Sequence, residues 1–179
     1  MKILKLIILT FLFVGVSNKS FSQDTIHWSP CYKLKWEDFK ETPDSTSEYG
    51  AISACNIIYK TSVRNDRLIF SVLCFFEKRK SWKQNGVTSS TLLKHEQGHF
   101  DIAEYFARKL RQEFKNYKPE HSTFKNDIKN IFQKILNEKI QIDTQYDNET
   151  SFSTNTLIQL QWEKKIQTML NSLSEFSAK

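Results

Sequence analysis

The middle of the chain has the pattern of a β-hairpin, because two apolar segments flank a short polar turn. Residues 51–60 and 67–77 are rich in Ile, Val, Phe, Tyr and Cys, and the turn between them is Arg64-Asn65-Asp66. Apolar residues lie on both faces of these segments, so the pattern predicts a sheet that other elements cover. Residues 25–28 and 32–36 are predicted to be two short extended pieces before the hairpin.

After Gly86 the apolar residues recur at helical spacing. Capping residues at 88–91 predict a helix that continues to about Lys115. Its apolar stripe consists of Leu92, His95, His99, Ile102, Phe106 and Leu110. Residues 122–142 and 158–176 predict two further amphipathic helices. The fold class predicted is therefore α+β, with an antiparallel β-hairpin or small sheet packed on one long helix plus two further helices.

The amino terminus has the pattern of a secretory signal peptide. Two lysines precede an apolar run at residues 6–16, and Ser20-Phe21-Ser22 provides a small-x-small cleavage site. Residues 1–22 are therefore predicted to be a signal peptide, and residues 23–179 to form a single domain in the periplasm or outside the cell. A retained amino-terminal anchor is the alternative. The apolar run is short for a membrane span, and no second stretch is long enough to form one.

The net charge gives little indication of a nucleic-acid partner. The formal charge is +6, and three of the lysines lie in the predicted signal peptide, which leaves +3 for the mature chain. The remaining basic residues are spread over helix faces, as on a solvated surface. We therefore predict no nucleic-acid partner.

Three cysteines, Cys31, Cys55 and Cys74, remain after signal removal, so at least one is unpaired. If the hairpin turns at Arg64-Asn65, Cys55 faces Cys74, and a disulfide between them is one hypothesis. Buried free thiols are the alternative. The chain contains no CxxC motif, which argues against a cysteine-based zinc site.

The long helix carries the motif His95-Glu96-Gln97-Gly98-His99, an HExxH sequence. Two histidines four residues apart lie on one helical face and can bind one zinc ion, while Glu96 can act as general base towards a zinc-activated water. Both histidines lie on the apolar stripe, where a single histidine is more often a hydrogen-bonded core residue. Gly98 is unfavourable inside a helix by about 1 kcal/mol, which predicts close approach of another segment.

A catalytic zinc site needs a third protein ligand. Asp101 and Glu104 point away from the face of the two histidines, and the longer metzincin pattern is absent because Ile102 and Tyr105 occupy its Gly and His positions. The third ligand is therefore sought in the polar, acidic stretch at residues 141–155. Its candidate segment is Tyr146-Asp147-Asn148-Glu149-Thr150, with His121 as a further candidate. A solvated acidic loop is the other interpretation of this stretch.

Four sequence blocks, taken together, resemble a known bacterial family. The blocks are Leu34-Lys35-Trp36-Glu37-Asp38-Phe39, residues 93–103 around the HExxH motif, Tyr146-Asp147-x-Glu149-Thr150 and Gln161-Trp162-Glu163. They are similar to the predicted secreted zinc-dependent proteases catalogued as domain of unknown function 922. The resemblance implies a zincin-like fold, peptide-bond hydrolysis, His95 and His99 as zinc ligands, Glu96 as the base and a peptide or protein substrate.

One position departs from the family pattern. The natural third ligand there is a histidine, and this chain has Phe152, which cannot bind zinc. Glu149 is the favoured replacement, with Asp147 and His121 as alternatives. For a catalytic protein, Tyr146 is a candidate hydrogen-bond donor to the oxyanion. The alternative function is a noncatalytic, degenerate zincin-fold domain that binds other molecules in the envelope or outside the cell.

Overall fold

The computed structural model describes residues 24–65, 67–120 and 122–178. Strands β1 (Thr25–His27), β2 (Ala51–Ile52), β3 (Cys55–Arg64), β4 (Arg67–Glu77) and β5 (Trp82–Lys83) precede helices α1 (Ser90–Asn116), α2 (Phe124–Thr150) and α3 (Thr156–Ser172). The predicted α+β class, with small antiparallel sheets and three helices, is confirmed. The predicted signal peptide at 1–22 lies outside the described residues, and so does His121.

The hairpin forms where the sequence predicts it, but its register differs. Arg64 pairs with Arg67, so opposed residues sum to 131 and not to 129. Cys55 consequently faces Phe76, and Cys74 faces Ile57. The hypothesis that Cys55 faces Cys74 is wrong because the turn is centred one residue later, where Asn65 adopts a left-handed φ of 51°. Both thiols are free.

The predicted strand at 51–60 is divided in two. β2 pairs with β5 in a separate two-stranded sheet, whereas β3 lies in a three-stranded sheet with the order β1-β4-β3. At the break between β2 and β3, the Ala54 amide donates to Ser81 Oγ at 2.9 Å and not to the backbone of a neighbouring strand. Residues 32–36 are not a strand, and a short 3₁₀ turn follows at Trp36–Asp38. The break leaves Ser53 between the two sheets.

Helix α1 is the central element of the core. It begins after Ser89, whose hydroxyl accepts a hydrogen bond from the Leu92 amide at 3.2 Å. Its buried face packs on β3, β4, α2 and α3. The largest apolar side chains of that face are Phe100, Ile102, Phe106, Leu110 and Phe114. Each of them stabilises the fold by about 1.5–3 kcal/mol through burial, so the position of α1 is well defined.

A buried ionic cluster joins α1 to the carboxyl-terminal part of the chain. Glu104 is 1% exposed, and its carboxylate accepts hydrogen bonds from Arg108 and Arg111, each at 3.0 Å. Arg108 also donates to the Leu170 carbonyl at 2.6 Å, and Arg111 donates to the Val72 carbonyl at 3.1 Å. The two guanidinium groups thereby connect α1 with α3 and β4.

Helix α2 is longer than the sequence predicts. It continues beyond 142 to Thr150, so the acidic stretch at 143–149 is helical and not a loop. Tyr146 and Thr150 lie one helical turn apart, and both are fully buried. Their packing in the core stabilises the helical conformation of this stretch. Asp143 and Asp147 share one face of α2 as a consequence. None of the described helices is long and apolar enough to cross a membrane.

Candidate metal centre

His95 and His99 lie one turn apart on α1 and present their Nε2 atoms to the same point. The two Nε2 atoms are 3.3 Å apart, and the rings are nearly perpendicular. His95 is 2% exposed, whereas the His99 side chain is 16% exposed. The four-residue spacing on one helical face brings the rings together, as the motif predicts.

A third donor comes from α2. Asp147 Oδ1 lies 3.1 Å from His95 Nε2 and 2.9 Å from His99 Nε2. Ligands bound to one zinc ion at about 2.0–2.2 Å with tetrahedral angles are roughly 3.3–3.5 Å apart, close to the three separations here. Within the described part of the chain, these three residues form the one group of metal-ligating side chains that could hold an ion. Two imidazoles and one carboxylate fit a zinc site.

The outer nitrogens of both histidines are held by hydrogen-bond acceptors. His99 Nδ1 lies 3.0 Å from Asp143 Oδ1, and Lys139 Nζ donates to the other oxygen of Asp143 at 2.5 Å. His95 Nδ1 lies 3.2 Å from Gln159 Oε1 on α3. Acceptors at Nδ1 favour the tautomer whose Nε2 lone pair is free to bind a metal.

Tyr146 packs behind the first histidine. Its ring stacks on that of His95 with centroids 4.4 Å apart, and its hydroxyl donates to the His95 carbonyl at 3.2 Å. An ideal Cβ on Gly98 would lie 2.3 Å from this hydroxyl, so the predicted close approach at Gly98 is confirmed. Burial raises the pKa of Tyr146 well above its ordinary value. Its hydroxyl is thus occupied inside the core, behind the His95 ring.

The charges around the histidines favour a positive charge between them. Burial acts to lower the pKa of His99, but hydrogen bonds with Asp143 and Asp147 outweigh it and raise the pKa to about 10. Burial likewise acts to raise the pKa of Asp147, yet its hydrogen bonds with the two histidines hold that pKa well below its usual range. The same arrangement attracts either a proton or a metal cation.

Glu96 is 3% exposed and lies beside the three donors in the same cleft. Ser53 Oγ donates a hydrogen bond to Glu96 Oε2 at 2.5 Å. Ser53 reaches this position because it occupies the break between β2 and β3. The bond fixes one oxygen of Glu96 and sets the direction of the other.

The cleft has a volume of about 1080 Å³ and opens to solvent. One wall is the segment 44–53, the floor is the motif face of α1 together with Asp143 and Asp147 of α2, and the other wall is the turn at 151–154. An open cleft of this size beside three metal-ligating side chains can admit an extended peptide or another solute.

Glu149, the third ligand favoured from the sequence, and Asp101, which the sequence already excludes as a ligand, both have partners away from the two histidines. Glu149 is on an exposed face of α2, where its carboxylate accepts hydrogen bonds from Trp162 Nε1 and Gln145 Nε2, each at 2.7 Å. Asp101 accepts a hydrogen bond from Trp28 Nε1 at 2.7 Å. Phe152 lies at the rim of the cleft, with its ring 5.3 Å from that of Tyr49. The structure therefore brings Asp147, and not Glu149, to the histidines.

Sequence reasoning missed three contributors to the site, namely Ser53, Asp143 and Gln159. The four-residue spacing of Asp143 to Asp147 would have identified Asp143 if the stretch had been predicted to be a helix. No local signal in the sequence indicates Ser53 or Gln159, because each meets the motif through tertiary packing.

Comparison with known proteins identifies one family. A family model described as "Bacterial protein of unknown function (DUF922)" matches residues 25–153. The matched segment runs from β1 through the end of α2, so it contains His95, Glu96, His99 and Asp147. No curated protein and no solved structure gives a significant match.

Proposed function

The chain belongs to the DUF922 family of bacterial proteins of unknown function, and we propose that it is an exported zinc-dependent peptidase with a zincin-like fold. The observation that carries this proposal is the convergence of His95, His99 and Asp147 in an open cleft that also contains Glu96. A long HExxH helix packed against a small antiparallel sheet supports the zincin-like arrangement.

Zinc is the metal that this site suits best. Two imidazoles and a carboxylate form the ligand set of a well-known class of zinc hydrolases, although the same set also occurs in iron sites. Glu96 distinguishes the two, because a buried carboxylate beside the donors is what a hydrolase needs as a base and what an iron oxygenase does not require.

When bound, zinc would polarise a substrate carbonyl and make a water molecule more acidic. Glu96 takes the proton of the attacking water and transfers it to the leaving amine. Because Ser53 donates to Oε2, we assign the proton transfer to Oε1. Asp143 and Gln159 keep the Nδ1 protons on His99 and His95, and the Tyr146 ring holds the His95 ring in position. Tyr146 is thus a positioning residue in this proposal, and not a donor to the oxyanion.

The noncatalytic alternative rested on Phe152 at the position where a third histidine was expected. Asp147 offers the third donor, so Phe152 no longer supports the noncatalytic alternative. Intact Glu96, held by Ser53 at 2.5 Å, also favours a catalytic protein, because a domain that only binds its partner has no need of an oriented base.

The first test is the metal content of the full chain after export. Elemental analysis should find about one zinc per chain in the wild type and almost none in the variants His95→Ala, His99→Ala and Asp147→Ala. Glu149→Ala is the matched control, since it removes a carboxylate of the same helix that faces away from the site. Iron in place of zinc, or zinc that is lost from Glu149→Ala and kept by Asp147→Ala, would contradict the assignment.

The second test is hydrolysis of a proteome-derived peptide library, followed by mass spectrometry. The wild type should produce new peptide termini, and Glu96→Gln should keep its zinc while losing this activity by about 10³-fold or more. Equal cleavage by wild type and Glu96→Gln would trace the activity to a contaminant. A zinc-loaded wild type without cleavage would favour the noncatalytic alternative.

A further inference from the structure

Two aromatic side chains from different parts of the chain meet at the mouth of the cleft. Tyr49 is 47% exposed and Phe152 is 43% exposed, yet their ring centroids are 5.3 Å apart. Both residues line the cleft that contains His95, Glu96 and His99. The two rings together form an exposed aromatic surface beside the candidate metal site.

The backbone that presents Phe152 is held in an unfavourable conformation. Ser151, Phe152 and Ser153 have φ angles of 48°, 51° and 74°, in the left-handed region that non-glycine residues seldom adopt. Hydrogen bonds from the Ser151 and Phe152 amides to carbonyls of the last turn of α2 maintain it. The strained turn directs Phe152 towards the cleft mouth and not into the core, and such strain is concentrated at functional sites.

The opposite wall is also held in place. Gln84 Nε2 donates to the carbonyls of Asp44 and Ser47, which restrains the loop before Tyr49. An ideal Cβ on Gly50 would lie 2.8 Å from Leu92 Cδ2, so the chain after Tyr49 lies directly against α1. Contacts within the protein therefore restrain both sides of the rim, which reduces the entropic cost of binding.

We propose that this aromatic rim, formed by Tyr49 and Phe152, binds a large apolar side chain of the peptide substrate next to the scissile bond. The inference rests on the proposed peptidase function and specifies its substrate class. Its main support is the continuity of the rim with the cleft that holds the metal-ligating residues. Ile52 and Leu92, which line the same cleft, extend the apolar surface from the rim towards the motif.

The rim binds the ring or branched chain of the substrate on the faces of two aromatic residues, while the adjoining carbonyl lies over His95, His99 and Asp147. Full burial of a Phe or Leu side chain favours binding by about tenfold or more over glycine. The turn at 151–153 follows directly after the helix that carries Asp147, so Phe152 of the rim and the third metal-ligating residue lie in one continuous segment.

Amino-acid hydroxamates test this without depending on turnover, because the hydroxamate group binds the metal and the side chain reports on the rim. Dissociation constants of glycine, leucine and phenylalanine hydroxamates for the zinc-loaded full chain are measured by calorimetry. The phenylalanine compound should bind about tenfold more tightly than the glycine compound. Phe152→Ala and Tyr49→Ala should each reduce this ratio to about twofold, with the glycine affinity unchanged.

Ile69→Ala is the matched control, because Ile69 is as exposed as Phe152 but lies on the hairpin away from the cleft. Phe152→Leu guards against disturbance of the turn and should keep most of the preference for apolar side chains. Equal binding of all three hydroxamates to the wild type would overturn the rim proposal and leave the metal site standing. Failure to bind zinc or any hydroxamate would overturn both proposals.

Discussion

The hydroxyl of Tyr146 occupies the space next to Gly98, where an ideal Cβ would lie 2.3 Å away. The contact explains a glycine in the middle of the helix that carries both histidines. It also joins α1 and α2 at the level of the candidate metal centre, since Tyr146 lies directly before Asp147 in the sequence. The close approach of the two helices is therefore a condition for bringing the third donor to the first two.

Gly98→Ala should destabilise the protein, although alanine ordinarily stabilises a helix interior by about 1 kcal/mol relative to glycine. We expect the free energy of unfolding to fall by about 1–3 kcal/mol because the added methyl group forces the two helices apart. Urea denaturation measures this, and zinc binding should weaken in parallel. A double-mutant cycle with Tyr146→Ala should show that the two substitutions are coupled, and simple additivity would contradict the explanation.

Asp143→Asn should weaken zinc binding without removing a ligand. The carboxylate holds His99 Nδ1 at 3.0 Å, and loss of such an outer partner typically lowers metal affinity about 10- to 100-fold. Competition with a zinc-binding dye gives the affinity. Asp127→Asn is the control on the same helix, because Asp127 accepts from the Tyr117 hydroxyl, outside the cleft. Equal effects of the two substitutions would show a general loss of fold and not a role at the site.

Ser53→Ala should lower kcat about tenfold with little change in KM, because the hydroxyl orients the proposed base and has no assigned contact with the substrate. Ser53→Thr keeps the hydroxyl and should retain most of the activity. Steady-state kinetics on one peptide identified in the library supplies both constants. Ser71→Ala, an exposed position of β4, serves as the control. An increase in KM alone would instead indicate that Ser53 contacts the substrate.

Glu104→Ala should cost about 3–5 kcal/mol of stability, since it leaves the buried Arg108 and the partly buried Arg111 without their carboxylate. The free energy of unfolding in urea is the measurement. Glu175→Ala removes the carboxylate of the exposed pair with Lys115 and should leave the unfolding midpoint unchanged. A small effect of Glu104→Ala would mean that water reaches the two guanidinium groups.

Local signals in the sequence were sufficient for the motif helix and for the hairpin. The cap at Ser89 and the stripe through His95 and His99 correctly placed α1, because these patterns depend on neighbours within a few turns. The turn at Asn65 was also recognised, but a shift of one residue in its centre moved the partner of Cys55. Register depends on the conformation of the turn residues, which composition alone does not fix.

The acidic stretch shows why the third donor was harder to predict. Its polar composition resembles a loop, and the side chains that keep it helical, Tyr146 and Thr150, are buried only when α2 packs on α1. Glu149 and Asp147 are equally plausible ligands in the sequence, but they lie about 200° apart around the helix. Tertiary packing decides between them, as it decides the positions of Ser53 and Gln159.

The three candidate metal ligands lie in two separate parts of the sequence. His95 and His99 come together as soon as a single helix forms, but Asp147 lies 52 residues after His95 and arrives only when α2 docks. A chain in which α2 has not yet docked on α1 therefore holds the two imidazoles together without the third donor. For the proposed zinc peptidase, tight metal binding would therefore begin only with the finished tertiary structure, and the order of folding would itself prevent premature hydrolysis.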